Sequence, residues 1–405
     1  MRHTAPGFSP AGERAERMRV LMAWELGAGL GHVTPLLALA RALRARGHEV
    51  TFALRAQEHA ARIAAEGFLF MQAPAAPPGN AQPVRYRCFA ELLLGEAFAS
   101  EAGALAAARA WRYIFSALRP QLLLADHAPA ALLAAHGFGL PAVTFGTPFT
   151  APPAAARLPS FIPDIQVAER FDALLLDRLN AVQKALATPP LQAAGELYRG
   201  ASPLVCSYPG LDCFGPRPAG HYVGAMEADA GPSAPAWPQG AGPRFLVYLR
   251  PAPLLGALFD VLARRRVRVI AHIPGWSATG LTAPANVHVS PVPLRMSALL
   301  GDCDAVASYG GNGVVVQALA AGKPLLLLPT HVEQLLNATA VEALGAGKVF
   351  LPGAGAADLE PHIEAFAPEG ALRAAAEAFA RRPEVRGLRM GAGDIARKLE
   401  TLAAA

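Results

Sequence analysis

Two spacings of apolar residues alternate along the chain. Near-continuous apolar runs at 20–24, 50–54, 122–125, 142–145, 204–206, 245–249, 267–273, 287–289, 305–307 and 324–329 read as short strands covered on both faces. Between them the period lengthens. Leu36, Leu39, Ala40 and Leu43 form an i, i+3, i+4, i+7 stripe closed by Gly47, and Val314, Ala318 and Ala321 form another. Further helical stretches are expected over 57–120, 161–201 and 254–264, with a Pro-rich loop at 73–83. Strands alternating with helices predict an α/β architecture with parallel sheets. At 405 residues the chain is too long for one core, so two domains are expected.

Glycine-rich turns follow two of these strands. The first is Gly27-Ala28-Gly29-Leu30-Gly31-His32-Val33-Thr34-Pro35, with the helix expected to begin around Pro35, where a missing N–H costs nothing. The second is Tyr309-Gly310-Gly311-Asn312-Gly313, whose glycines let the backbone reach φ > 0 and approach a ligand closely. A helix opening straight after such a turn presents free N–H groups and a positive dipole end to an anion. The 324–329 strand then empties into Thr330-His331-Val332-Glu333-Gln334, at the kind of strand end where open α/β sheets bind ligands. A dinucleotide fold fits Gly27 and Gly29 but fails twice. His32 is too large for the third glycine position, and Arg55 stands where an acid would hold a ribose.

Over some thirty residues, 304–338, the chain resembles the donor signature of the family 1 (UDP-glycosyltransferase-like) enzymes of the GT-B fold. Gly310, Gly311, Gly313, Gly322, Pro324, Pro329, Gln334, Asn337 and Ala338 are in register with it. Tyr309 stands where that family has His, Val314 where it has Thr or Ser, Gln317 where it has Glu, and Glu333 where it has Asp. The Gly31-to-Pro35 loop resembles the same family's N-terminal loop. The resemblance implies two Rossmann-like domains facing each other across a cleft. It implies His32 as general base and Asp126, at the end of the 122–125 strand, as the carboxylate that orients it. By position alone, Asp126 reads equally as an N-cap of the helix that follows. A base at His32 must be uncharged near neutral pH, and a helix N-terminus disfavours imidazolium.

The same resemblance assigns donor binding to Arg250, Pro293, Tyr309, Gly310, Gly311, Asn312, Gly313, Val314, Gln317, Glu333 and Gln334, and acceptor binding to Gly31, Thr147 and Phe149. Arg250 takes the place of a Gly-Ser turn beside the phosphates and offers a guanidinium fork. Pro291 replaces a base-stacking Trp two residues before Pro293. The amides of Gly313 and Val314 would hold phosphate whatever their side chains. Tyr309 keeps a donor hydroxyl but never a cation. Gln317 has one acceptor oxygen where Glu has two, which weakens ribose binding or suits a deoxyribose.

Composition narrows the classes. The chain is 53% apolar and 17% charged, which excludes a disordered protein. Its net charge of +5 is spread without a Lys/Arg run, so nothing points to nucleic acid. Cys88, Cys206, Cys213 and Cys303 form no C-x-x-C pair and suit a reducing, cytoplasmic setting. Apolar runs are interrupted before membrane length. The expected plan is a leader over 1–17, an acceptor-binding domain over 18–225 and a linker over 226–243. A nucleotide-sugar domain over 244–385 and a helix over 386–405 returning to the first domain complete it. The expected activity is inverting, metal-independent transfer from a UDP- or dTDP-sugar to a hydroxyl of a small lipophilic acceptor, with no cofactor. A lipid-linked acceptor, with peripheral membrane contact, and a non-catalytic nucleotide-sugar binder are the alternatives.

Overall fold

A computed structural model describes residues 17–27, 29–56, 59–74, 86–226, 233–351, 356–367, 369–388 and 390–404. Residues 1–16 of the expected leader and most of the Pro-rich loop lie outside the described residues, as does part of the linker at 227–232. The first half runs β1 (Arg19–Trp24), α1 (Leu30–Ala45), β2 (Glu49–Leu54), α2 (Ala60–Ala64), β3 (Leu69–Gln72), α3 (Phe89–Glu96), α4 (Glu101–Leu118), β4 (Leu122–Asp126), α5 (Pro129–Ala135), β5 (Ala142–Gly146), α6 (Ile165–Ala185) and β6 (Ala201–Val205). The second runs β7 (Arg244–Tyr248), α7 (Leu255–Arg264), β8 (Arg268–His272), β9 (Val287–Ser290), α8 (Met296–Leu300), β10 (Ala305–Ser308), α9 (Asn312–Ala320), β11 (Leu325–Leu327), α10 (Val332–Ala343) and β12 (Gly347–Val349). Helices α11 (Leu359–Glu364), α12 (Ala371–Ala380), α13 (Pro383–Gly387) and α14 (Ala392–Ala404) follow.

Two six-stranded sheets result, ordered β3-β2-β1-β4-β5-β6 and β12-β11-β10-β7-β8-β9. Every ladder within them is parallel. Strand order therefore reverses between β1 and β4 in one sheet and between β7 and β10 in the other, and a crevice opens outside the carboxyl ends at such a point. This is the two-domain α/β architecture expected of the chain. Both faces of each sheet are covered: Trp111, Phe89 and Phe115 pack on one side of the first, Leu36, Leu39 and Leu43 of α1 on the other. Ile395, Ala396 and Leu399 of α14 join that second layer, and Glu400 pairs with Arg46 (2.6 Å) and His48 (2.6 Å). The last helix thus completes the core of the first sheet.

Local structure departs from the sequence reading at both glycine turns. Helix α1 begins at Leu30, not near Pro35, which lies inside it. His32 is consequently in the first helical turn, where N–H groups have no intrahelical acceptor. In the second turn only Gly310 has φ > 0 (88°), and α9 starts at Asn312, so Gly313 and Val314 are already helical. Among the described residues no helix is long and apolar enough to cross a membrane.

Candidate active site

The crevices of the two sheets meet. From the first sheet, α1 delivers His32 and β4 ends on Asp126, whose register partner on β1 is Trp24. Asp126 Oδ2 bonds His32 Nδ1 at 2.8 Å, both side chains largely buried. The Trp24 ring stacks on the imidazole with centroids 5.1 Å apart. Nδ1 is thus committed, and Nε2 faces Gly27. That glycine has φ 86°, and a Cβ there would stand 2.5 Å from Nε2, so the missing side chain keeps the Nε2 edge open.

Asp126 does not cap the helix after it. The N-cap of α5 is Ala128, and the free amides of Ala130 and Ala131 are taken by Glu25, at 2.8 and 2.7 Å. Glu25 follows β1 and is buried. Burial pushes its carboxyl up to about 8, the two amides and nearby Trp111 opposing. With the Leu26 N–H donating to the His127 carbonyl (3.0 Å), it fixes the turn after Asp126, in which His127 takes φ 45°. Burial, with His32 and Arg55 adding to it, drops His127 to about 3, so it is a neutral ring between Phe89 and Phe149. Sequence reading missed Glu25, although an acid inside the run Leu21-Met22-Ala23-Trp24-Glu25-Leu26 is itself a signal.

From the second sheet, Glu333 in the first turn of α10 reaches across, its Oε1 accepting from Thr147 Oγ1 at 2.9 Å. Burial holds the Glu333 carboxyl above its ordinary range; His32 and Thr147 pull it down and Asp126 pushes it up. For His32, burial opposes the charged form, but Asp126 by charge and hydrogen bond, then Glu333, outweigh burial and Arg55, and its pKa is raised. These carboxylates act against the helix N-terminus, which disfavours imidazolium. Two carboxylates nearby dominate.

The donor side differs from the reading at several residues. Tyr309 hydroxyl donates to the Arg250 carbonyl (2.6 Å) and accepts from the Arg250 N–H. It is thus spent on the loop after β7 and is not a free donor. The Arg250 guanidinium stays exposed, and a Cβ on Gly29 (φ 89°) would lie 3.4 Å from it, so the first glycine turn comes up against that cation. Asn312 is buried, and its amide donates to the Cys206 carbonyl of the other half at 2.8 Å. Val314 N–H is bonded to the Gly311 carbonyl at 3.1 Å, which leaves Gly313 N–H at the helix mouth. Gln334 gives its oxygen to Thr330 (2.9 Å). Gln317 is half-buried on α9, and no side-chain hydrogen bond involves it among the described residues. Pro293 lies in the loop between β9 and α8, Gly31 is exposed at the start of α1, and Phe149 is buried in a ring cluster with Phe89, Phe161 and Phe214. Asn337, in register with the donor signature, donates from its amide to the Gly310 carbonyl at 2.9 Å and holds the turn.

Residues 256–386 match the family model of the erythromycin biosynthesis protein CIII-like C-terminal domain. Over 95 residues the chain is 39% identical to the aclacinomycin-T 2-deoxy-L-fucose transferase of Streptomyces galilaeus, covering 23% of this chain and 21% of that protein. It is 27% identical over 373 residues to a PGL/p-HBAD biosynthesis glycosyltransferase of Mycobacterium tuberculosis, covering 85% and 83%. The chain is thus similar to family 1 glycosyltransferases and has the GT-B fold. Its fold is also similar to that of the glycosyltransferase VinC, solved in complex with dTDP, with a TM-score of 0.67 at 20% identity over 96% of this chain and 100% of that one. Its relatives in sequence are glycosyltransferases of the natural-product type. Its donor turn is held by a Tyr309–Arg250 pair where the family signature places His.

Proposed function

We propose that the protein is an inverting, metal-independent glycosyltransferase that moves a sugar from a dTDP- or UDP-sugar to a hydroxyl of a small lipophilic acceptor. The observation that carries this reading is the His32–Asp126 pair, with Nδ1 tied at 2.8 Å and Nε2 facing the space left by Gly27. An imidazole held this way is oriented to take a proton. His32 Nε2 removes the acceptor hydroxyl proton as the oxygen attacks the anomeric carbon. The bond from that carbon to the diphosphate oxygen breaks, and the nucleoside diphosphate leaves with the electron pair. A single displacement inverts the anomeric centre. Asp126 steadies the imidazolium as it forms.

The departing charge falls between the Arg250 guanidinium and the opening turn of α9, where the Gly313 N–H and the helix dipole favour an anion. No cofactor is required beyond the nucleotide sugar. A lipophilic acceptor is supported by the rings of Phe89, Phe149, Phe161 and Phe214 around the neutral His127. For the nucleotide, a single acceptor oxygen at Gln317 and the dTDP-bound neighbour favour a deoxyribose. The oriented dyad weighs against a binding-only role.

The test has two arms. His32→Ala is expected to lower turnover by roughly 10²-fold or more, the lower end for a lost general base. dTDP or UDP is expected to protect 309–317 and 330–334 from hydrogen exchange. Near-parental turnover in a folded His32→Ala removes the base, and protection confined to residues 27–34 removes the donor assignment.

A further inference from the structure

Two hydrogen bonds and one close packing contact lead from the helix α9 to the His32–Asp126 pair. Asn312, the first residue of α9, is only 7% exposed, and its side chain turns away from its own helix. Its Nδ2–H donates to the Cys206 carbonyl just past β6 (2.8 Å). Cys206 N–H donates to the carbonyl of Gly146, the last residue of β5, at 2.7 Å. Gly146 has φ 145°, and a Cβ there would stand 2.9 Å from Asp126 Oδ1 and collide with Thr150 Oγ1. Its backbone therefore packs close to the carboxylate, with no hydrogen bond to Oδ1 among the described residues. Asp126 Oδ2 then holds His32 Nδ1. The hydrogen bonds in this path join buried or half-buried groups, where a broken bond leaves a polar atom without water to replace its partner, and the Gly146–Asp126 step is steric.

We propose that Asn312 is a positioning residue for the transfer: through Cys206 and Gly146 it fixes the Asp126–His32 pair relative to the helix that receives the diphosphate. The inference rests on the reading of His32 as base. Its logic is geometric. Acceptor activation is built on the first sheet and leaving-group binding on the second, and an in-line displacement needs both within a fraction of an ångström. A direct side-chain bond from the opening residue of α9 to the strand-end layer that backs Asp126 supplies that registration. The charged and titratable groups that face His32 are Asp126, Glu333, Arg55 and His127, with Trp24 on its ring face. None lies on α9. A change at residue 312 reaches His32 through the backbone path, or through movement of Glu333 on the same half.

The experiment follows the His32 imidazole by NMR titration in the full chain without ligand, its signal identified by its loss in His32→Gln. Asn312→Ala removes the amide. Asn312→Ser, well suited to a helix start but too short to reach Cys206, serves as the variant least apt to disturb folding. Both are expected to lower the His32 midpoint by roughly half a unit or more, part of the one-to-three-unit influence of an adjacent opposite charge. Affinity for dTDP and UDP is expected to stay within threefold. The shift is expected to persist in a Glu333→Gln background. An unchanged midpoint in the folded Asn312→Ser variant overturns the proposal, as does a shift that vanishes with Glu333→Gln. A tenfold loss of nucleotide affinity with an unmoved midpoint makes Asn312 a donor-site strut instead. Turnover of His32→Gln judges the base reading separately, since the midpoint measurement involves no transfer.

Discussion

Gly27→Ala separates what the first glycine turn does for folding from what it does for chemistry. At φ 86° an alanine pays the left-handed penalty, about 1–2 kcal/mol for an L-residue. Urea denaturation should report that loss and little more. The added methyl also stands 2.5 Å from His32 Nε2, whereas ordinary contact begins at 3.4 Å, so the ring or the loop must yield by roughly 1 Å. The ring has little room to do so. Its far nitrogen is bonded to Asp126 at 2.8 Å and its face lies on Trp24. A displacement of that size at the reacting atom costs on the order of 10²-fold in turnover. The assay is release of nucleoside diphosphate from a dTDP- or UDP-sugar with acceptor present, beside the urea titration. Turnover within threefold of the parent, alongside the expected stability loss, would refute the idea that Gly27 exists to clear Nε2.

Three further outcomes follow from the same geometry. Because His32 is raised and acts unprotonated, turnover should climb with pH through a midpoint above 6.5, and Asp126→Asn should move that midpoint down; a parental midpoint at or below 6.5 contradicts the assignment. Glu25, raised from 4.5 to about 8, binds its proton more tightly folded than unfolded, so its contribution is complete below pH 4.5 and lost as pH rises toward 8. Glu25→Gln should flatten stability over that window, and an unaltered slope by urea titration sinks the account. Gln317→Glu should strengthen UDP over dTDP, by up to the roughly 1–3 kcal/mol of a satisfied hydroxyl, and calorimetry showing equal gains for both rules out ribose reading at 317.

Strands and helix stripes were legible because burial on both faces leaves little choice of residue, and the runs at 20–24, 122–125 and 305–307 fall inside β1, β4 and β10. The His32–Asp126 approach was legible only through a motif, since 94 residues separate the two. What stayed hidden were bonds between distant side chains and backbone. Tyr309 and Arg250 each stand where the family pattern has another residue, and they read as two independent phosphate contacts. In space one completes the other's loop across 59 residues. Asn312 fills an unconstrained position of a glycine motif, and only the facing half gives its amide a purpose. Pro35 misplaced the helix start because a proline is tolerated in a first turn, and nothing local says that α1 begins five residues earlier.

The returning helix α14 bears on how hybrids of this enzyme can be cut. Its Ile395, Ala396 and Leu399 fill the layer under α1, and Glu400 holds Arg46 and His48, so residues 395–400 belong physically to the first sheet. A chimera joined once between the halves would graft a foreign α14 onto the native α1. It would inherit a mismatched core seam beneath the helix that carries His32. Exchanging donor specificity therefore calls for two junctions, the second ahead of Ala392, so that the parental tail travels with the parental first half.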